Sequence, residues 1–109
     1  MGMKVSSLVK DMLAAAKGEV SERWPDVKIY AETEAKKLAQ TLVMIEKLKV
    51  AGQISKKQAD ILLDMQKQTS RVVLLTIEGL SLLAAEAAVN AAIKSIQDTV
   101  NTSIGWKLI

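Results

Sequence analysis

The residues best placed to do chemistry are Glu78, Glu86 and Asn90, which stand inside VVLLTIEGLSLLAAEAAVNAAIKSI, residues 72–96 and the most apolar stretch of the chain. Two carboxylates can divide the acid and base roles of a bond cleavage, but both must then flank one scissile bond, roughly 5 to 10 Å apart. On a continuous helix Glu78 and Glu86 stand about 12 Å apart, too far unless two subunits bring copies together. Ser6, Ser7 and Lys10 compose no recognisable Ser-Lys nucleophile pair. The chain contains neither His nor Cys. Their absence removes thiolate nucleophiles, disulfides, the commonest zinc ligands, the usual general base near neutral pH and the Glu-x-x-His motifs of di-iron bundles. No catalytic residue, metal site or cofactor is expected, and the chain reads as non-enzymatic.

Binding is then left to charged side chains. Glu34 falls on the apolar side of its helix among Tyr30, Leu38 and Thr41, where an unpaired carboxylate is costly, and Arg71 is the expected partner in an interhelical ion pair. Lys36, Lys37, Lys47, Lys49, Lys56 and Lys57 gather within residues 36 to 57 against Glu46 alone. That basic end is a candidate patch for an anionic ligand, nucleic acid or anionic lipid. Base readout and stacking draw on Arg and aromatic side chains, and the patch has neither, which argues against nucleic acid and for a solvated lysine-rich tip.

These residues need helices to hold them. Only Trp24, Tyr30 and Trp106 are aromatic and no Phe is present, so the core must come from Leu, Ile, Val, Ala and Met. One proline and five glycines leave too few turn residues for a sheet domain. The pattern predicts a single all-α domain over residues 1–109, with a first helix at about 7–23 starting from Ser7 as N-cap and a break between Gly18 and Asp26. Val27, Tyr30, Ala31, Ala35, Leu38, Leu42, Ile45 and Leu48 share one face of a second helix at about 27–50. Gly52 suits the left-handed residue after a helix, and Ser55 with Gln58 has the spacing of a capping box, with Ile54 as its hydrophobic staple.

A third helix follows with no proline and only Gly79 in its way, so it is expected to run from 56 to about 100. It forms a long antiparallel hairpin with the second, bringing Ile45 opposite Ile61 and Leu62. A membrane span over 72–96 would bury Glu78 and Glu86 in hydrocarbon at about 2.5 to 3.5 kcal/mol each, against a gain of ~0.3 to 0.6 for each Leu, Ile or Val. The balance favours a bundle in water. Small residues from Ser81 to Ser95 let another helix approach closely. Residues 80–100 are to be covered by the first helix or by another copy of the chain, with Val73, Ile77, Leu80, Ala84, Ala88 and Ala91 at the subunit interface of a dimer or tetramer.

The apolar tail NTSIGWKLI, residues 101–109, is too apolar to dangle; docking onto a partner subunit stands first, ahead of folding back on the bundle or entering a membrane interface. Met1, Gly2 and Ser6 fit a short N-myristoylation pattern, while Lys10 and Asp11 break the run that a signal peptide needs. The expected function is a structural or protein-interaction module, cytoplasmic and coiled-coil-like, that self-associates through its Ala/Leu-rich helix. The alternatives are a small membrane-associated protein, anion binding through the lysine tip, and a carrier of an apolar ligand, which close Ala packing disfavours.

Overall fold

In the computed structural model, which describes residues 2–109, helix α1 covers Val5–Val20 and buries Leu8, Met12, Ala16 and Val20, four positions spaced one turn apart. Met1, part of the N-myristoylation pattern, lies outside the described residues. α1 begins ahead of Ser7, because Met3 and Val5 pack against the core and draw the first turn forward. Lys4 takes the N-cap position without a side-chain bond, and Ser7 is an exposed first-turn residue.

The break after α1 lies where Gly18 and Pro25 bracket it. Ser21 turns the chain at φ 45°, a short 3-10 turn follows over Ser21–Arg23, and α2 then runs Trp24–Val50. Pro25 sits in the first turn of α2, where no intrahelical partner for its missing N–H is needed, so this helix starts earlier than the expected Val27. At its end the N–H of Gln53 bonds the Leu48 carbonyl at 2.8 Å and that of Gly52 bonds Lys49 at 2.9 Å, with Gly52 at φ 70°. This double closure satisfies the last carbonyls, as the glycine predicted. The capping box is complete: Gln58 N–H to Ser55 Oγ at 3.1 Å and Ser55 N–H to Gln58 Oε1 at 2.9 Å.

The single third helix is replaced by three. α3 covers Lys56–Leu75, α4 Leu82–Ser95 and α5 Gln97–Ile104. Gly79 adopts φ 82°, and Ser81 restarts the helix by accepting the Ala84 N–H at 3.1 Å. Arg23 fixes this turn by donating to the Glu78 carbonyl, with its guanidinium lying against Gly79. A continuous helix would instead have carried residues 80–100 past the end of α2. Folding back lets α4 bury its alanine face on α1, which is worth more than the few hydrogen bonds lost at the turn.

α1 packs against α2 and α4, α2 against α3, and α3 against α4, so the four longer helices close a ring, with α5 resting on α2. The molecule is all-helical, with no strand among the described residues, and measures 44 × 22 × 19 Å. Its interior forms two apolar clusters. One gathers Leu8, Met12, Leu38, Leu42, Ile45, Ile96 and Val100, and the other Val20, Val27, Leu74, Ile77, Leu80 and Val89. No helix among the described residues is long and apolar enough to cross a membrane.

Candidate functional site

Between the two clusters lies a polar layer. Glu34 on α2 is buried, and its Oε1 accepts a 3.0 Å hydrogen bond from Ser70 Oγ on α3. Its Oε2 is 3.4 Å from Lys37 Nζ, one helical turn along, and Gln66 donates to Ser70 at 3.4 Å. The burial expected for Glu34 is present, but its partner is not Arg71. Successive helical residues point about 100° apart, so when Ser70 faces α2 its neighbour Arg71 is turned toward α4. There Arg71 meets Glu86 at 3.4 Å and also donates to Gln68.

Beside Glu34 and Ser70 is a space of about 30 Å³ lined by Met12, Ala16, Ala31, Ala88 and Ala92 among others. It is on the scale of a water molecule, an order of magnitude below the volume of ordinary ligand sites. A carboxylate beside a serine hydroxyl can in principle take its proton, yet nothing the size of a substrate fits against this pair. The layer acts as a polar tie between α2 and α3 and leaves an apolar-ligand carrier without a chamber here.

The other carboxylates of interest are dispersed. Glu78 lies in the α3–α4 turn and Glu86 on α4, so the acid and base pair considered for one helix has no common face. No group of three or more Asp and Glu residues able to hold a metal is present among the described residues.

Three of the six lysines of the basic end are engaged internally. Lys37 pairs with Glu34, and Lys56 with Asp60 at 3.0 Å. Lys49 stands 4.8 Å over the Trp106 ring and donates to the Ile104 carbonyl. Lys36, Lys47 and Lys57 are exposed, the first two about 16 Å apart along α2.

The tail, expected first on a partner subunit, folds back on its own protomer. Asn101 Oδ1 accepts the N–H groups of Leu108 and Ile109 at 2.9 and 3.0 Å, and its Nδ2 donates to the Ile109 carbonyl at 2.7 Å. Leu108 is thereby buried in the first cluster. Glu46 performs a similar task at the other terminus: it is buried, accepts the Met3 N–H at 3.0 Å and accepts from Ser103 on α5. Sequence reasoning missed both. Glu46 had a signal, since it follows Leu42 by one turn on the apolar face, whereas nothing local marks Asn101.

Of the residues expected at a subunit interface, Ile77, Leu80 and Ala88 are buried within the chain's own second cluster, while Val73, Ala84 and Ala91 are half-buried. The physical reason is the break at Gly79, which brings α1 onto this face. The exposed apolar surface lies elsewhere. Ile61, Met65, Val72 and Leu75 on α3 are 51%, 62%, 57% and 38% exposed; of the two residues expected opposite Ile45, Ile61 turns outward and Leu62 packs against the cluster that holds Ile45. Leu82 and Leu83 are exposed just beyond the turn. Comparison of the chain with protein families, with curated proteins and with solved structures finds no match.

Proposed function

We propose that this protein is a non-enzymatic, self-associating helical module, cytoplasmic, in which α2 and α3 form an antiparallel hairpin that presents α3 to a partner. The observation that carries this reading is the row Ile61, Met65, Val72 and Leu75 on the outer face of α3. Large apolar side chains gathered along one water-facing helix face mark an interaction surface more often than scattered single residues do. The interior supports the same reading, because its buried carboxylates, Glu34 and Glu46, are bonded within the fold. Light scattering after size exclusion, in plain buffer and with anionic liposomes added, tests the proposal. A discrete oligomer that ignores liposomes is the expected result. A monomer at every concentration, or material that clears onto the liposomes, would replace it with the membrane-associated alternative or with a module for a different protein.

A further inference from the structure

The large apolar residues exposed on α3 share one face of that helix. Ile61, Met65, Gln68, Val72 and Leu75 are spaced four, three, four and three apart, the heptad spacing of a coiled-coil seam. The seam extends for about 21 Å at 1.5 Å per residue. It lies opposite the side of α3 that buries Leu63, Ser70 and Leu74, so the fold itself leaves it uncovered. Beside it, on the flank toward α4, Lys57, Asp64 and Arg71 recur every seven residues with alternating sign. The other flank carries Leu62, Thr69 and Thr76 and no charge.

Charge decides how a second helix fits. In a parallel pair each flank meets the opposite flank of its partner, so Asp64 and Arg71 would face uncharged residues. In an antiparallel pair like flanks meet, and one register sets Asp64 of each copy opposite Arg71 of the other. Sliding by one heptad sets Arg71 against Arg71 and is repulsive. Antiparallel layers mix the two seam positions, so in the favoured register Ile61 faces Val72 and Met65 faces Gln68, and the two-fold axis falls between Met65 and Gln68. Arg71 already meets Glu86, but it is only half-buried and its guanidinium has five N–H donors, enough for a second carboxylate.

We infer that the outer face of α3 docks a second copy of this chain antiparallel, with Asp64 of each copy paired to Arg71 of the other. The inference rests on the self-association proposed above and specifies its surface and register. A seam this short makes a small interface, so the dimer forms and dissociates with concentration.

Cysteine scanning tests it cleanly, since the chain has no Cys of its own. Disulfides form only when Cα atoms lie within about 7 Å. Met65→Cys mixed with Gln68→Cys, and Ile61→Cys mixed with Val72→Cys, should give the mixed disulfide dimers under mild oxidation, whereas Ile61→Cys alone should not cross-link to itself. Val72→Glu should return the mass to that of a monomer while the helical circular dichroism is kept. Self-linking of Ile61→Cys would mean a parallel pair and overturn the inference. An oligomer that survives Val72→Glu would overturn this surface while leaving self-association standing, and a wild-type monomer at all concentrations would overturn both.

Discussion

Ser70, not Arg71, holds Glu34: the hydroxyl on α3 donates at 3.0 Å to the buried carboxylate on α2, and the guanidinium one residue on faces α4. A single step along the helix thus separates a core tie from a half-exposed ion pair. The consequences for stability are opposite. Ser70→Ala leaves a buried carboxylate short of a partner and should destabilise by about 1 to 3 kcal/mol in urea unfolding. Arg71→Met removes only a half-exposed pair and should change stability by about 1 kcal/mol or less. Replacing both members of the tie, Glu34→Met with Ser70→Ala, should recover much of the loss, because no unpaired buried group remains.

Two glycines should respond with opposite signs. Gly79 holds φ 82° with the Arg23 guanidinium against it, so Gly79→Ala forces a left-handed alanine and a displaced arginine. A loss of about 1 to 2 kcal/mol is expected from the backbone alone. Gly18 lies inside α1 with nothing near its absent side chain. Gly18→Ala should stabilise by about 0.5 to 1 kcal/mol, and a fall in the midpoint of thermal unfolding would contradict that.

The helix starts at Ser55 and Ser81 each rest on one hydroxyl accepting a backbone N–H. Ser55→Ala and Ser81→Ala should each lower stability by about 1 kcal/mol. Because the two caps lie at different turns and share no partner, the double variant should show the sum of the single effects. A sum far smaller would indicate that one of the turns is not formed in solution.

Asn101 makes three hydrogen bonds with the last two residues, accepting from the Leu108 and Ile109 N–H groups and donating to the Ile109 carbonyl. Asn101→Ala should free the tail, raising carboxypeptidase susceptibility and amide exchange at Leu108 and Ile109. It should also move Trp106 from beneath Lys49. Unchanged exchange at both amides would show that burial of Leu108 and the bond from Gln97 Nε2 to the Ile109 carbonyl at 3.0 Å suffice to hold the tail.

Turn chemistry and periodicity reached far into this fold. Gly52, Ser55 and Gln58 form the predicted closure and capping box because all their partners lie within a few residues in sequence, where local geometry is the whole of the problem. The same logic was present once more and weaker at Gly79, Leu80 and Ser81, a glycine and an aliphatic residue ahead of a capping serine. There the box is incomplete, since Ala84 stands where Glu or Gln would close it. No glycine or proline marks the bend at Ile96, which is fully buried at φ −111° between α4 and α5.

The amino-acid sequence by itself determined that the chain is helical, where its apolar faces lie, that Glu34 is drawn inside, and that His and Cys chemistry is closed to it. These follow from composition and from periods that each helix carries alone. Only the tertiary structure decided which face meets which. Residues 77–92 could be covered equally well by α1 or by another copy, since alanine-rich surfaces accept many partners at close range. The turn at Gly79 settled that choice in favour of α1, moving Ile77, Leu80 and Ala88 into the protomer's own core and leaving Ile61, Met65, Val72 and Leu75 outside. A rotation of 100° per residue then fixed the rest. It gave Glu34 to Ser70 and Arg71 to Glu86, a distinction finer than any pattern of apolar spacing can carry.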